Sequence, residues 1–342
     1  MTVTPNERLR TPARWVNRTL LVPQRLDSWV LLRSGVGALV VFWAMTLVPD
    51  LEDLYGAASV VPSQGPRSAQ FSIFRWWTGD AAVGVVLGLA VLGGLALMVG
   101  VAVRLAAPVT FLTVASLMAS APLILNGGDD VLRLLLLFVA LYALIAPATG
   151  LNTPVGQLAD GPAPSGPPWG LVVIRMQVIA MYVVTVLDKM EGQTWLGGTA
   201  TVRALNLPSM RRFWVPEFVV QSAVIHNVMT WSALAIEISL PLLLLNRRTR
   251  RWGIALGLVL HASFGYVLRL GLFPAIVAVA YLAFLTPEEA AGIVAWIRRW
   301  FDRLVGGRFR RRSDDDIEAT DDAPERTPVG SGAGDNLATP HS

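Results

Sequence analysis

Residues 174–195 read IRMQVIAMYVVTVLDKMEGQTW, an apolar run that carries Arg175, Gln177 and Tyr182 and ends in Asp188-Lys189 ahead of Trp195. An ionisable side chain at membrane depth costs at least ~2.5–3.5 kcal/mol on insertion scales, so such groups face a bundle interior or a cavity and mark candidate functional sites. Lys189 is the sharpest of them: in a dry cavity its amine could serve as a base. The alternative is an anchor that snorkels at the helix end, with Asp188 beside it keeping it protonated.

Three more groups sit in apolar runs. Glu237 lies within WSALAIEISLPLLLL, four residues ahead of Pro241, a residue that kinks a helix and frees a carbonyl. It reads equally as a structural ion pair and as a proton-transfer group. His261, in IALGLVLHASFGYVL, is either a packing residue or a proton relay. Arg33, in LLRSGVGAL, either snorkels or faces the interior, and Ser34, Gly35 and Gly37 beside it predict close helix packing. The turn Asn126-Gly127-Gly128-Asp129-Asp130 reads as a solvated turn, or as carboxylates at a cavity mouth opposite Lys189 or Arg133.

Composition supplies the elements that must position these groups. Of 342 residues, 54% are hydrophobic and only 15% charged, and mean hydropathy is +0.53. That is too apolar for a soluble domain and implies an all-α integral membrane protein, a polytopic bundle. The runs are unbroken rather than alternating, which excludes a β-barrel. Apolar stretches at 29–48, 81–102, 105–125, 131–147, 169–187, 223–245, 252–269 and 271–287 predict about eight transmembrane helices, the last two short enough to form a re-entrant hairpin instead.

The chain has no cysteine, which removes thiolate chemistry and iron–sulfur sites, and its three scattered histidines predict no metal centre. The arginines cluster beside apolar runs, a topological pattern that argues for membrane lipids and against nucleic acid as the partner. It places both termini in the cytoplasm of a multi-pass cell-membrane protein. The expected organisation is a basic cytoplasmic segment over 1–28 with no removable signal peptide, a transmembrane domain over 29–287, an amphipathic basic cytoplasmic helix over 288–312 and a disordered tail over 313–342. Ala-, Val- and Arg-rich, Lys-poor usage is compatible with a bacterial genome of high GC content.

The pattern Arg175-x-Gln177-x4-Tyr182-x6-Lys189, followed by Trp195-Leu196-Gly197-Gly198, resembles the signature of the HTTM (horizontally transferred transmembrane) domain. That domain is the membrane half of vitamin K-dependent gamma-carboxylases and occurs in many bacterial proteins. Arg33-x3-Gly37, Glu237 ahead of His261, and Gly271-x-Phe273 after it fall in the same order, so the resemblance extends over about 25–290. In the carboxylases it implies deprotonation of a reduced vitamin K by an activated Lys, oxygenation to a strong base, and carboxylation of a substrate Glu. Counted from Tyr182, Lys189 falls on that Lys.

Some positions depart from the family. The carboxylases place a His in the turn after the third span, where this chain has Asn126 to Asp130. One extra residue separates Lys189 from Trp195, and Thr230 stands where another His is expected before Trp231. The extracytoplasmic domain that recognises the peptide substrate is expected to be missing.

The resemblance implies a cavity among spans one, five, six and seven for a quinone-like or other lipophilic small molecule. Lys189, His261 and Glu237 are its candidate catalytic groups, and Arg33, Arg175, Gln177, Tyr182 and Trp195 its candidate binding groups. The alternative is a non-enzymatic membrane module with a protein partner, of immunity or structural type.

Overall fold

A computed structural model describes residues 17–56, 59, 71–147, 149–158, 161–300 and 302–303. The expectations for residues 1–16, for most of the 288–312 helix beyond 300 and for the 313–342 tail lie outside the described residues. The molecule falls into two units, Met1–Ala295 and Trp296–Ser342, and the helices below belong to the first.

Eight apolar helices follow one another: α1 (Asp27–Leu47), α2 (Asp80–Val99), α3 (Val103–Ser120), α4 (Gly127–Ile145), α5 (Trp169–Glu191), α6 (Ala223–Leu245), α7 (Arg250–Val267) and α8 (Phe273–Tyr281). Among the described residues, five stretches are long and apolar enough to cross a membrane: α1 with its continuation to Tyr55, then α2, α3, α5 and α6. Helix α4 carries Asp129, Asp130 and Arg133 in its first turns, and α7 opens on Arg250-Arg251. The eighth element departs from the expected span at 271–287. Only Phe273–Phe284 is helical there, about 18 Å long against a ~30 Å hydrocarbon core, so it cannot cross alone.

Neighbours in sequence pack as neighbours in space, α1 to α4 in one series and α5 to α8 in another, and α8 joins the two by packing on α1 and α4 as well as on α7. Backbones come closest between α1 and α2 at Gly37 and Gly94. An aromatic cluster ties α1, α4 and α5: the Trp29 and Tyr142 rings lie 4.0 Å apart and those of Tyr142 and Trp169 5.1 Å apart. The Tyr142 hydroxyl donates to the Pro167 carbonyl at 2.7 Å. Gly170 leaves room for the Tyr142 ring. A two-residue antiparallel pairing of β1 (Gln24–Arg25) with β2 (Ser165–Gly166) closes the entry to α1 onto the loop before α5. Gln24 and Arg25 carry no strand pattern in the sequence, and this contact was not expected.

Helix ends follow local chemistry. At α4 the Asn126 side chain accepts from the Gly128 amide at 2.7 Å, while the Asp129 carboxylate accepts from the Asn126 amide at 2.7 Å, a capping box. Asp129 also accepts from the Trp43 indole at 3.0 Å, and Asp130 pairs with Arg133 at 2.7 Å. This turn is therefore a satisfied cap, with neither carboxylate turned to Lys189.

A second reciprocal cap starts the helix over 287–295 of the first unit. The Thr286 amide donates to Glu289 at 2.8 Å and the Glu289 amide donates to the Thr286 hydroxyl at 3.2 Å. Glu289 also receives Arg250 and Arg251, each at 2.7 Å. Burial alone would raise the Glu289 carboxyl, but the Thr286 amide and the two guanidiniums outweigh it and hold it below the usual carboxylate range. A lowered folded-state value gives stability that is complete above the unfolded value, ~4.3, and is lost as pH falls through the folded one. The thermal midpoint of the wild type should thus exceed that of Glu289→Gln at pH 7, with the gap closing at pH values below about 4. A constant gap from pH 7 to pH 3 would contradict this.

Candidate functional site

A cavity of about 530 Å³ opens between α5, α6 and α7. Gly127 and Val131 of α4, Phe273 of α8 and the short helix Ala200–Asn206 complete its walls. The lining is mainly apolar, with Met181, Leu205, Met229, Ile236, Val259 and Phe264 among its residues. Ser222 begins α6 by accepting from the Ile225 amide at 3.4 Å. One contact holds the Ala200–Asn206 helix against α6, and a second ties the segment after it to α7. Thr201 meets the Thr230 hydroxyl at 2.9 Å, and the Arg212 amide donates to the Val267 carbonyl at 2.9 Å.

Polar groups enter this cavity from two sides. On one, Lys189 in the last turn of α5 forms an ion pair with Glu237 of α6, and its ammonium lies 4.6 Å from the Trp195 ring centroid. The Glu237 side chain is 5% exposed and that of Lys189 20%, so the carboxylate is the enclosed partner and the ammonium the one nearer the opening. Pro241 has no amide hydrogen, so the helix leaves the Glu237 carbonyl without its usual partner.

On the other side, the Tyr182 hydroxyl bonds the His261 Nε2 at 2.7 Å and the Tyr281 hydroxyl at 2.5 Å. The Phe273 ring stands edge-on to the imidazole at 5.2 Å. His261 is buried and its Nδ1 has no hydrogen-bond partner among the described residues. A hydroxyl both donates and accepts, so a proton can shift along His261, Tyr182 and Tyr281 without any heavy atom moving.

Of the residues singled out from the sequence, Lys189, Glu237, His261, Tyr182 and Trp195 all line this one cavity. Gln177 lines a separate void of about 10 Å³ between α4, α5 and α8. Arg33 and Arg175 are elsewhere. Arg33 is fully buried and donates to the Leu151 carbonyl at 2.5 Å, the Thr153 carbonyl at 3.0 Å and the Ser34 hydroxyl at 3.1 Å. Arg175 donates from Nε to the Ala283 carbonyl at 2.6 Å.

Span one was expected in the cavity wall and is not there, because α8 packs between α1 and α7. Tyr281 was not anticipated. Its signal was no more than a tyrosine within an apolar run, and Gly257 is what admits its hydroxyl to the α7 backbone.

No curated protein and no solved structure matches the chain. A protein-family model, that of the HTTM domain, matches residues 134–288. The matched stretch runs from within α4 through α8 and so contains Lys189, Glu237, His261, Tyr182 and Trp195. It is shorter than the expected 25–290 and leaves out α1 to α3. The chain is a multi-pass membrane protein in which residues 134–288 match the HTTM domain.

Proposed function

We propose that the protein binds a lipophilic, quinone-like molecule in the α5–α6–α7 cavity and exchanges a proton with it, as a membrane relative of the vitamin K-dependent gamma-carboxylases. The observation that carries this reading is the convergence of the Lys189–Glu237 pair and the His261–Tyr182 pair on one apolar cavity of about 530 Å³. A volume within ~300–1,000 Å³, apolar walls and few polar groups are the usual attributes of a small-molecule site. The isoprenoid or acyl part of such a ligand would lie on Met181, Ile236, Val259 and Phe264, and its oxygens would meet the polar ends.

The proton step balances within the pair. Lys189 passes a proton to the Glu237 carboxylate, which breaks an N–H bond and forms an O–H bond. The free amine then takes a proton from a ligand hydroxyl. The ligand is left as an oxyanion beside the Lys189 ammonium, which stabilises it. In this reading the arginine-bearing α2–α3 and α6–α7 turns face the cytoplasm of a bacterial cell.

A second reading, a non-enzymatic module that partners another chain, draws on the fact that Lys189 and Glu237 already satisfy each other. Mass spectrometry of the protein extracted with its native lipids separates the two. The wild type should carry a quinone-like compound near one per chain, and Ala204→Phe, which fills the cavity, should carry little. Tyr182→Phe and Lys189→Ala should retain it weakly. Equal recovery from wild type, Ala204→Phe and Lys189→Ala, or none from any, would exclude the ligand-binding reading.

A further inference from the structure

We infer that the arginine cluster at the α6–α7 turn is a binding site for the phosphate headgroup of an anionic phospholipid. Five guanidiniums gather there: Arg247, Arg248, Arg250 and Arg251 from the turn and the start of α7, and Arg175 from α5. Arg247 and Arg250 stand within electrostatic reach of Arg175. The one carboxylate paired with any of them among the described residues is Glu289, whose two oxygens are taken by Arg250 and Arg251. Like charges held this close repel, and one carboxylate leaves most of that repulsion unbalanced.

The donors left over point to the missing anion. Arg175 spends only its Nε, on the Ala283 carbonyl. Its two terminal nitrogens, and the guanidiniums of exposed Arg247 and Arg248, make no hydrogen bond to a carboxylate among the described residues. The Arg250 Nε is buried without a partner among the described residues. Guanidinium forks match the geometry of a phosphate, which can accept from several at once.

The surroundings select a lipid over a free ion. Leu242 (71% exposed), Leu245 (61%) and Trp252 (74%) present an apolar surface beside the cluster, where acyl chains and the glycerol region would lie. A basic cluster at a helix turn, bordered by exposed apolar side chains, is complementary to an anionic headgroup with its chains. This site is separate from the Lys189 cavity and does not depend on what that cavity binds.

Native mass spectrometry of the full chain in detergent, titrated with dioleoyl phosphatidylglycerol or dioleoyl phosphatidylcholine, tests the assignment. Phosphatidylglycerol should bind about tenfold tighter than phosphatidylcholine. The Arg247→Gln/Arg248→Gln variant, altered only at exposed positions, should weaken phosphatidylglycerol by about fivefold and phosphatidylcholine, whose headgroup has no net charge, by less than about twofold. Phosphatidylglycerol should also raise the wild-type melting temperature, while inorganic phosphate at the same concentration should not. Equal affinity for the two lipids, undiminished binding by the double variant, or an equal shift from inorganic phosphate would each overturn it.

Discussion

Lys189→Met and Glu237→Leu should each destabilise the protein by about 3–5 kcal/mol as single changes, and together by much less. The reason lies in how the pair is enclosed. Removing either partner strands a charge that the bundle does not otherwise satisfy, whereas removing both with apolar groups of similar volume removes the desolvation cost as well as the attraction. The two single variants should also be unequal. The Glu237 side chain is 5% exposed and would be left almost wholly enclosed after Lys189→Met. The Lys189 side chain is 20% exposed and its flexible stem can turn the ammonium outward after Glu237→Leu.

Unfolding of the four proteins in one detergent gives the double-mutant cycle. Additive losses would mean that the two groups do not interact. The cycle also bears on function: a double variant as stable as the wild type but unable to retain a cavity ligand would place the value of the pair in binding rather than in folding.

The helices were legible because apolar length and turn chemistry are local. For α6 the expected run 223–245 and the observed Ala223–Leu245 coincide. Helix α5 continues past its expected apolar run of 169–187 to Glu191, so Lys189, read from the sequence at the helix end, sits in its last turn within reach of Glu237. The pairing itself was not legible. It joins residues 48 apart on different helices, and no spacing rule reports which helix faces meet.

Arg33 and Arg175 show the same limit from the other side. Both were read as site residues because a cation in an apolar run demands a partner. Their partners are the carbonyls of Leu151, Thr153 and Ala283. Every residue carries a carbonyl, so such a partner leaves no mark in the sequence. Asp129 likewise is accounted for by the Asn126 amide and the Trp43 indole. The acidic turn could be recognised as a helix start, but the Trp43 contact depends on how α1 lies against α4.

The α1–α2 interface supports a prediction in which similar substitutions have opposite signs. In a membrane, helix association relies on close packing, and small residues allow backbones to approach. A Cβ added at Gly37 would stand 2.5 Å from the Gly94 carbonyl oxygen and 2.6 Å from the Met98 amide nitrogen. Both obstacles are backbone atoms of α2, so the two helices would have to separate. Gly37→Ala should cost at least about 2 kcal/mol, because the loss of packing exceeds the roughly 1 kcal/mol that alanine gains over glycine in a helix. At Gly94 the added atom meets the Gly37 carbonyl at 3.0 Å and the Val41 and Val40 side chains at 3.0 and 3.1 Å, contacts that can relax by a few tenths of an ångström, so Gly94→Ala should be milder. Gly84, also on α2, has nothing within 4 Å of its added Cβ, so Gly84→Ala should stabilise by about 0.5–1 kcal/mol. Thermal midpoints in one detergent should rank Gly84→Ala above wild type, then Gly94→Ala, then Gly37→Ala. A Gly37→Ala variant as stable as the wild type would show that α1 and α2 do not touch along this line.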